Sequence, residues 1–146
     1  MSRNGVWRWM LACSLAVAAP AVHAAACSVA AVGVAFSPYD VFSTLASDIT
    51  GTVNVSCDKS TTYTISLSTG AGTYASRTMT GSSGALIYNL YIDATRLTIW
   101  GDGTAGTTTV GGTAKTASHT VYGRIPAQQN AVVGAYTDTV IVTLTF

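Results

Sequence analysis

The residues of this chain best equipped to do chemistry are two cysteines, Cys27 and Cys57, and the chemistry they suit is a cross-link. A third, Cys13, lies in an N-terminal segment that reads as removable, which leaves one pair. In an oxidising compartment an even count is expected to form a bridge. Metal binding is the alternative use of such thiols, and it lacks ligands, because beyond residue 24 there is one histidine, His119, and no second cysteine pair. Acid-base catalysis finds equally little. The six acidic residues are all aspartate, and Asp93 and Asp102 sit in contexts typical of Asx turns. The string Gly81-Ser-Ser-Gly84 is not the Gly-x-Ser-x-Gly elbow of a serine hydrolase. Gly101-Asp-Gly103 lacks the ligand-dense loop and terminal Glu of a calcium site. No set of nucleophile, base and oxyanion donor can be assembled, so the chain reads as a non-enzyme with no cofactor.

The elements that would position the cysteines begin with a leader. Arg3 and Arg8 precede an apolar run from Met10 to Ala19, Pro20 breaks it, and Val22-His-Ala24 supplies small residues at the cleavage positions. Residues 1–24 therefore read as a removed secretory signal, and 25–146 as one domain. A retained anchor is the competing reading, but the apolar stretch is about half of the ~20 residues a spanning helix needs. Acylation at Cys27 is disfavoured because the residue three before it is Ala, and it would strand Cys57. Without the leader the charges nearly balance: Lys59, Arg77, Arg96, Lys115 and Arg124 against Asp40, Asp48, Asp58, Asp93, Asp102 and Asp138. With no basic stripe, nucleic acid is not an expected partner.

Abundant Thr, Val, Gly, Ser and Tyr favour strands. Val32, Val34 and Phe36 alternate before a turn at Pro38. Gly51, Val53, Val55 and Cys57 place Cys57 on an inner face, and Tyr63, Ile65 and Leu67 make the next strand before the Gly70-Ala-Gly72 turn. Leu86 to Ile92 carries large residues on both parities, as a strand covered on both faces does. Leu97 to Trp100 reads as a short strand, with Trp100 in the core. Residues 104–117 read as a long loop or a weak edge strand, and Val121, Gly123 and Ile125 alternate up to Pro126. The final run sets Tyr136, Val140, Val142, Leu144 and Phe146 on one face against Thr137, Thr139, Thr143 and Thr145 on the other. The chain is thus expected to stop in mid-sheet, with another chain covering that strand. Some seven strands separated by turn signals predict an all-β sandwich of immunoglobulin-like architecture.

The strings Cys27-Ser-Val, Val34-Ala-Phe-Ser-Pro-Tyr-Asp40 and Gly51-Thr-Val-Asn-Val-Ser-Cys57 resemble the opening of spore coat protein U domains, the family that contains the Csu-type pilins of archaic chaperone-usher pili. Tyr88-Asn-Leu-Tyr-Ile-Asp93, Ile99-Trp-Gly-Asp-Gly-Thr104, Val121-Tyr-Gly-Arg-Ile-Pro126 and Gly134-Ala-Tyr-Thr-Asp-Thr-Val140 continue it in order. Ser37 departs from the family, which often has Gly after the Phe.

The resemblance implies an incomplete immunoglobulin-like β-sandwich lacking one strand, completed by donor-strand complementation. Its implied partners are a periplasmic pilus chaperone, an outer-membrane usher and other pilus subunits, reached by export through the periplasm to a surface pilus or the extracellular space. Tyr136, Val140, Val142, Leu144 and Phe146 are the residues expected to line the partner-strand groove. Major pilins of the family carry a donor extension ahead of the first cysteine. Cleavage after Ala24 leaves Ala25 and Ala26, too short at ~3.3 Å per residue to span a groove, which suggests a minor or distal subunit contributing to attachment and biofilm formation. The alternatives are a stand-alone adhesin, with loops around 70–83 or 100–116 as its contact surface, or a secreted spore-coat or cell-surface structural protein.

Overall fold

Valine, threonine and tyrosine alternate over so much of this chain that strands account for all the regular structure of the described residues. In the computed structural model, residues 23–146 are described, and they form β1 (Cys27–Val32), β2 (Ser47–Leu67), β3 (Arg77–Gly81), β4 (Gly84–Tyr91), β5 (Val110–Ile125), β6 (Tyr136–Thr137) and β7 (Val142–Thr145). The segment read as a leader lies outside the described residues except for His23 and Ala24. The strands are hydrogen-bonded in the order β1-β2-β5-β4-β3-β6, with β7 also on β2, and every pairing is antiparallel.

This ribbon curls over one core. Val53, Val55, Tyr63, Ile65 and Leu67 from β2 meet Leu86, Tyr88 and Leu90 from β4, and Val121 and Ile125 from β5. Trp100 is fully buried among them and donates its Nε1–H to the Ile65 carbonyl. Cys27 faces Cys57 across the β1–β2 ladder, and the two form a disulfide.

Several elements differ from the reading of the sequence. The two runs ending at Cys57 and Leu67 are one 21-residue strand, β2, with a bulge between Ser56 and Thr61. Its partner β5 begins at Val110, so residues 104–109 are loop and residues 110–117 are the edge-strand alternative. They pair with β2 on one side and have no strand on the other. The bulge explains the poor pattern, because the inward parity of β5 is even through Ala114 and odd from Ala117 onward. Gly112 packs close there, since a Cβ would lie 3.0 Å from the Tyr63 hydroxyl. Leu97 to Trp100 is reduced to isolated bridges, Tyr91 to Ile99 and Trp100 to Thr108. Within β4, Asn89 rather than a large apolar residue occupies the second face, and Ile87 is exposed.

The terminal run is not one strand. Tyr136 and Thr137 pair with β3, residues 138–141 cross over, and Val142–Thr145 pairs with Thr64 to Leu67 of β2. A single straight strand cannot pair with both, because β3 and β2 lie on opposite sides of the curl.

Candidate functional site: an open apolar cleft

Beyond Val32 the first segment keeps its strand-like alternation but loses its ladder. Val34, Phe36 and Tyr39 turn inward while Gly33, Ala35 and Ser37 face out, yet among the described residues the main chain of 34–39 makes no hydrogen bond to other main chain. Two glycines let its side chains seat. A Cβ on Gly51 would lie 3.1 Å from Val34 Cγ1, and one on Gly123 would lie 2.9 Å from Phe36 Cζ. Phe36 also meets the Tyr88 ring edge-on, with centroids 6.1 Å apart. At the far end the Tyr39 hydroxyl donates to the Pro126 carbonyl and accepts from the Gln129 amide, both at 2.8 Å. Gln129 in turn binds β4 beyond the end of β5: Oε1 accepts from the Ile87 amide and Nε2 donates to the Ile87 carbonyl, each at 2.8 Å.

Facing this segment across a cleft is the C-terminal part of the chain. Ala31 to Val34 on one lip and Asp138 to Val140, with Val142, on the other enclose about 300 Å³ whose floor is the core itself: Val53, Leu67, Leu90 and Val121. From Val34 onward the cleft continues between residues 34–42 and 131–136 as a wider space of about 700 Å³ over Met79, Leu86 and Ile125. Val32, Phe42, Val132 and Val133 line it while at least half exposed. A soluble surface seldom leaves such a band uncovered unless something binds there.

Of the residues expected on the groove, Val140 and Val142 line the narrow part and Tyr136 the wide part. Leu144 is half-buried opposite Ile65, and Phe146 is 54% exposed; neither lines the cleft. The crossover puts them past its end. The first lip, residues 31–42, was not singled out from the sequence, although the Val34 and Phe36 alternation was the available signal.

The buried polar residues were not foreseen either. Arg77 is fully buried and donates from Nη1 to Asn89 Oδ1 at 2.7 Å, from Nε and Nη2 to the Ser68 carbonyl, and from Nη2 to the Trp100 carbonyl at 2.7 Å. Burial pulls its pKa below the usual arginine value. Tyr88, also buried, donates to Asp138 Oδ2 at 2.7 Å; burial, and then that bond, push its phenol up. No Lys or Arg lines the cleft among the described residues. On the ladder outside it, Asp48 is held below the usual carboxylate range by its hydrogen bonds from Arg124. His119 is half-buried on β5 with Nε2 2.9 Å from the Tyr63 hydroxyl, and burial lowers its pKa. Asp93 and Asp102 cap turns, accepting from the Thr98 and Thr104 amides. Among the described residues no cluster of His, Cys, Asp or Glu could hold a metal, and no helix is long and apolar enough to cross a membrane.

Among the described residues, seven antiparallel strands curled over one core, with an apolar cleft between the first and last segments, define an all-β fold whose core is left open along one side. The sequence profile of the Spore Coat Protein U domain matches residues 13–143, and the chain belongs to that family. It is 36% identical over 122 residues to Protein U of Myxococcus xanthus, covering 76% of this chain and 68% of that protein. The fold is similar to a chain in the crystal structure of the CsuC-CsuE chaperone-tip adhesion subunit pre-assembly complex from archaic chaperone-usher Csu pili of Acinetobacter baumannii. The TM-score is 0.62 at 22% identity, with 84% of this chain covered. The match spans 40% of that chain's length. The architecture is that of an incomplete immunoglobulin-like sandwich.

Proposed function

We propose that this chain is an exported subunit of a chaperone-usher fibre and that the cleft between residues 31–42 and 131–142 receives an extended strand, first from a periplasmic chaperone and then from a neighbouring subunit. The observation that carries the reading is the floor of the cleft, where core residues Val53, Leu67, Leu90 and Val121 are reached from outside. Alternate apolar side chains of an added strand would finish that core, and its main chain would find the free groups of 34–39. The fold neighbour is a chaperone–subunit complex of such pili, which supports the same partners here. Export through the periplasm to the cell surface is part of the reading, with residues 1–24 as leader.

A minor or distal position is the finer proposal. It is supported by the way residues next to Cys27 are occupied on their own domain: the Ala26 amide donates to Asp58 Oδ1, and the Asp58 amide to the Ala26 carbonyl. A role in biofilm formation belongs to the same proposal. The second reading, a secreted coat protein, is favoured by the likeness to Protein U.

Co-expression with a periplasmic chaperone from the same genome tests the main reading. The subunit is expected to accumulate as a stoichiometric complex and to aggregate alone. A monodisperse, stable monomer that ignores the chaperone would point to the coat-protein reading instead.

A further inference from the structure

Residues 138–141 carry the chain from β6, paired with β3, to β7, paired with β2, and Asp138 to Val140 among them form one lip of the narrow part of the cleft. Main-chain groups in such exposed crossovers commonly bond to water. Here protein groups hold three of them, the Thr139 amide and both main-chain groups of Ile141. Asp138 Oδ1 accepts from the amides of Ala71 at 2.9 Å and Thr139 at 2.8 Å, while its Oδ2 takes the Tyr88 hydroxyl. Ser68 Oγ accepts from the Ile141 amide at 2.8 Å, and the Ser68 amide donates to the Ile141 carbonyl at 3.0 Å. Arg77 holds the Ser68 carbonyl with Nε and Nη2. Gly70 belongs to the same arrangement. Its φ is 63°, and a Cβ there would fall 2.0 Å from Asp138 Oδ2, so a side chain would expel the carboxylate.

We propose that Asp138 is a positioning residue which, with Ser68, Gly70 and Tyr88, clamps the crossover so that this lip stands open in its binding geometry before a partner strand arrives. The inference rests on the docking role proposed above. A preformed lip spares the ordering cost that association otherwise carries. If the lip held its shape in only a fraction of molecules, apparent affinity would fall by that fraction.

The test uses Asp138→Ala, and Tyr88→Phe as a milder companion, in full-length exported protein. Hydrogen exchange follows the amides of Ala71, Thr139 and Ile141 in the clamp and of Val53 and Val55 in β2. Titration with the co-expressed periplasmic chaperone follows capture. In Asp138→Ala the clamp amides are expected to exchange at least about tenfold faster while the β2 amides hold, and chaperone affinity to fall about tenfold, mostly through the on-rate. Tyr88→Phe, which removes one of three bonds to the carboxylate, is expected to give the same pattern at about threefold and decides the matter if Asp138→Ala does not fold. Unchanged clamp amides would overturn the clamp. Faster exchange with unchanged affinity would overturn the positioning role. An unmodified protein that never binds the chaperone would count against the docking reading, which the exchange result alone does not touch.

Discussion

The β2–β5 body and the cleft are built from the same residue types and behave as opposites. In the body, strands of 21 and 16 residues pair along nearly their whole length, and each inward side chain meets another. In the cleft, residues 34–39 alternate in the same way and make no main-chain ladder with any strand among the described residues, while the chain opposite changes sheet midway. A side chain in the body therefore acts on stability, and one in the cleft on what the protein can hold.

Four perturbations break or sharpen that division. Trp100→Ala empties a fully buried site and removes the indole bond to the Ile65 carbonyl, so unfolding free energy should drop by about 3 to 5 kcal/mol. An unmoved urea midpoint would remove Trp100 from the body. Replacing Cys27 and Cys57 together by Ser opens the cross-link between β1 and β2, and chain entropy sets the loss at about 3 to 4 kcal/mol. Thiol labelling with and without reductant first checks that the native pair is closed. Val140→Asp places a charge on the cleft wall. Unfolding should shift by no more than about 0.5 kcal/mol because water still reaches the carboxylate, whereas chaperone capture should weaken about 100-fold once that charge must be buried. A variant that unfolds but still binds would reverse the assignment of that wall.

The smallest effect is on pH dependence. His119 has its folded pKa lowered by burial, so the unfolded chain takes up the proton first as pH falls. The folded state is thus most favoured above the unfolded value of about 6.5 and loses stability as pH drops from there through the folded pKa. His119→Gln should flatten that slope in denaturant titrations at stepped pH. An unchanged slope would show that other groups set it.

The division also decides what could be read from the sequence. Val53, Val55, Cys57, Tyr63, Ile65 and Leu67 were legible because each side of β2 keeps one environment over many residues, and period two then survives in the letters. The lower half of β5 was not, since one bulge reverses its parity and the glycines that pack closely against Tyr63 carry no apolar signal. The terminal run misled for a related reason. Its alternation runs from Tyr136 to Phe146 with breaks only at Asp138 and Ile141, inside the crossover, and the curl of the sheet reveals that its two ends serve different neighbours. Val140 and Val142 could be placed at the cleft from pattern alone, while Leu144 and Phe146 fall beyond it. Arg77 carries no sequence signal of burial. An arginine on a Thr-rich strand ordinarily faces water, and this one is inside because carbonyls of Ser68 and Trp100, distant along the chain, converge on it.

The side chain of Gln129 answers Ile87 as a peptide group would, donor to carbonyl and acceptor to amide. To a wandering strand that stretch of β4 looks already taken, so collisions there find no rung on which to start and come apart. A single amide that mimics backbone thereby acts as a stopper: it occupies both main-chain groups of Ile87 and closes that stretch of β4 to an added strand.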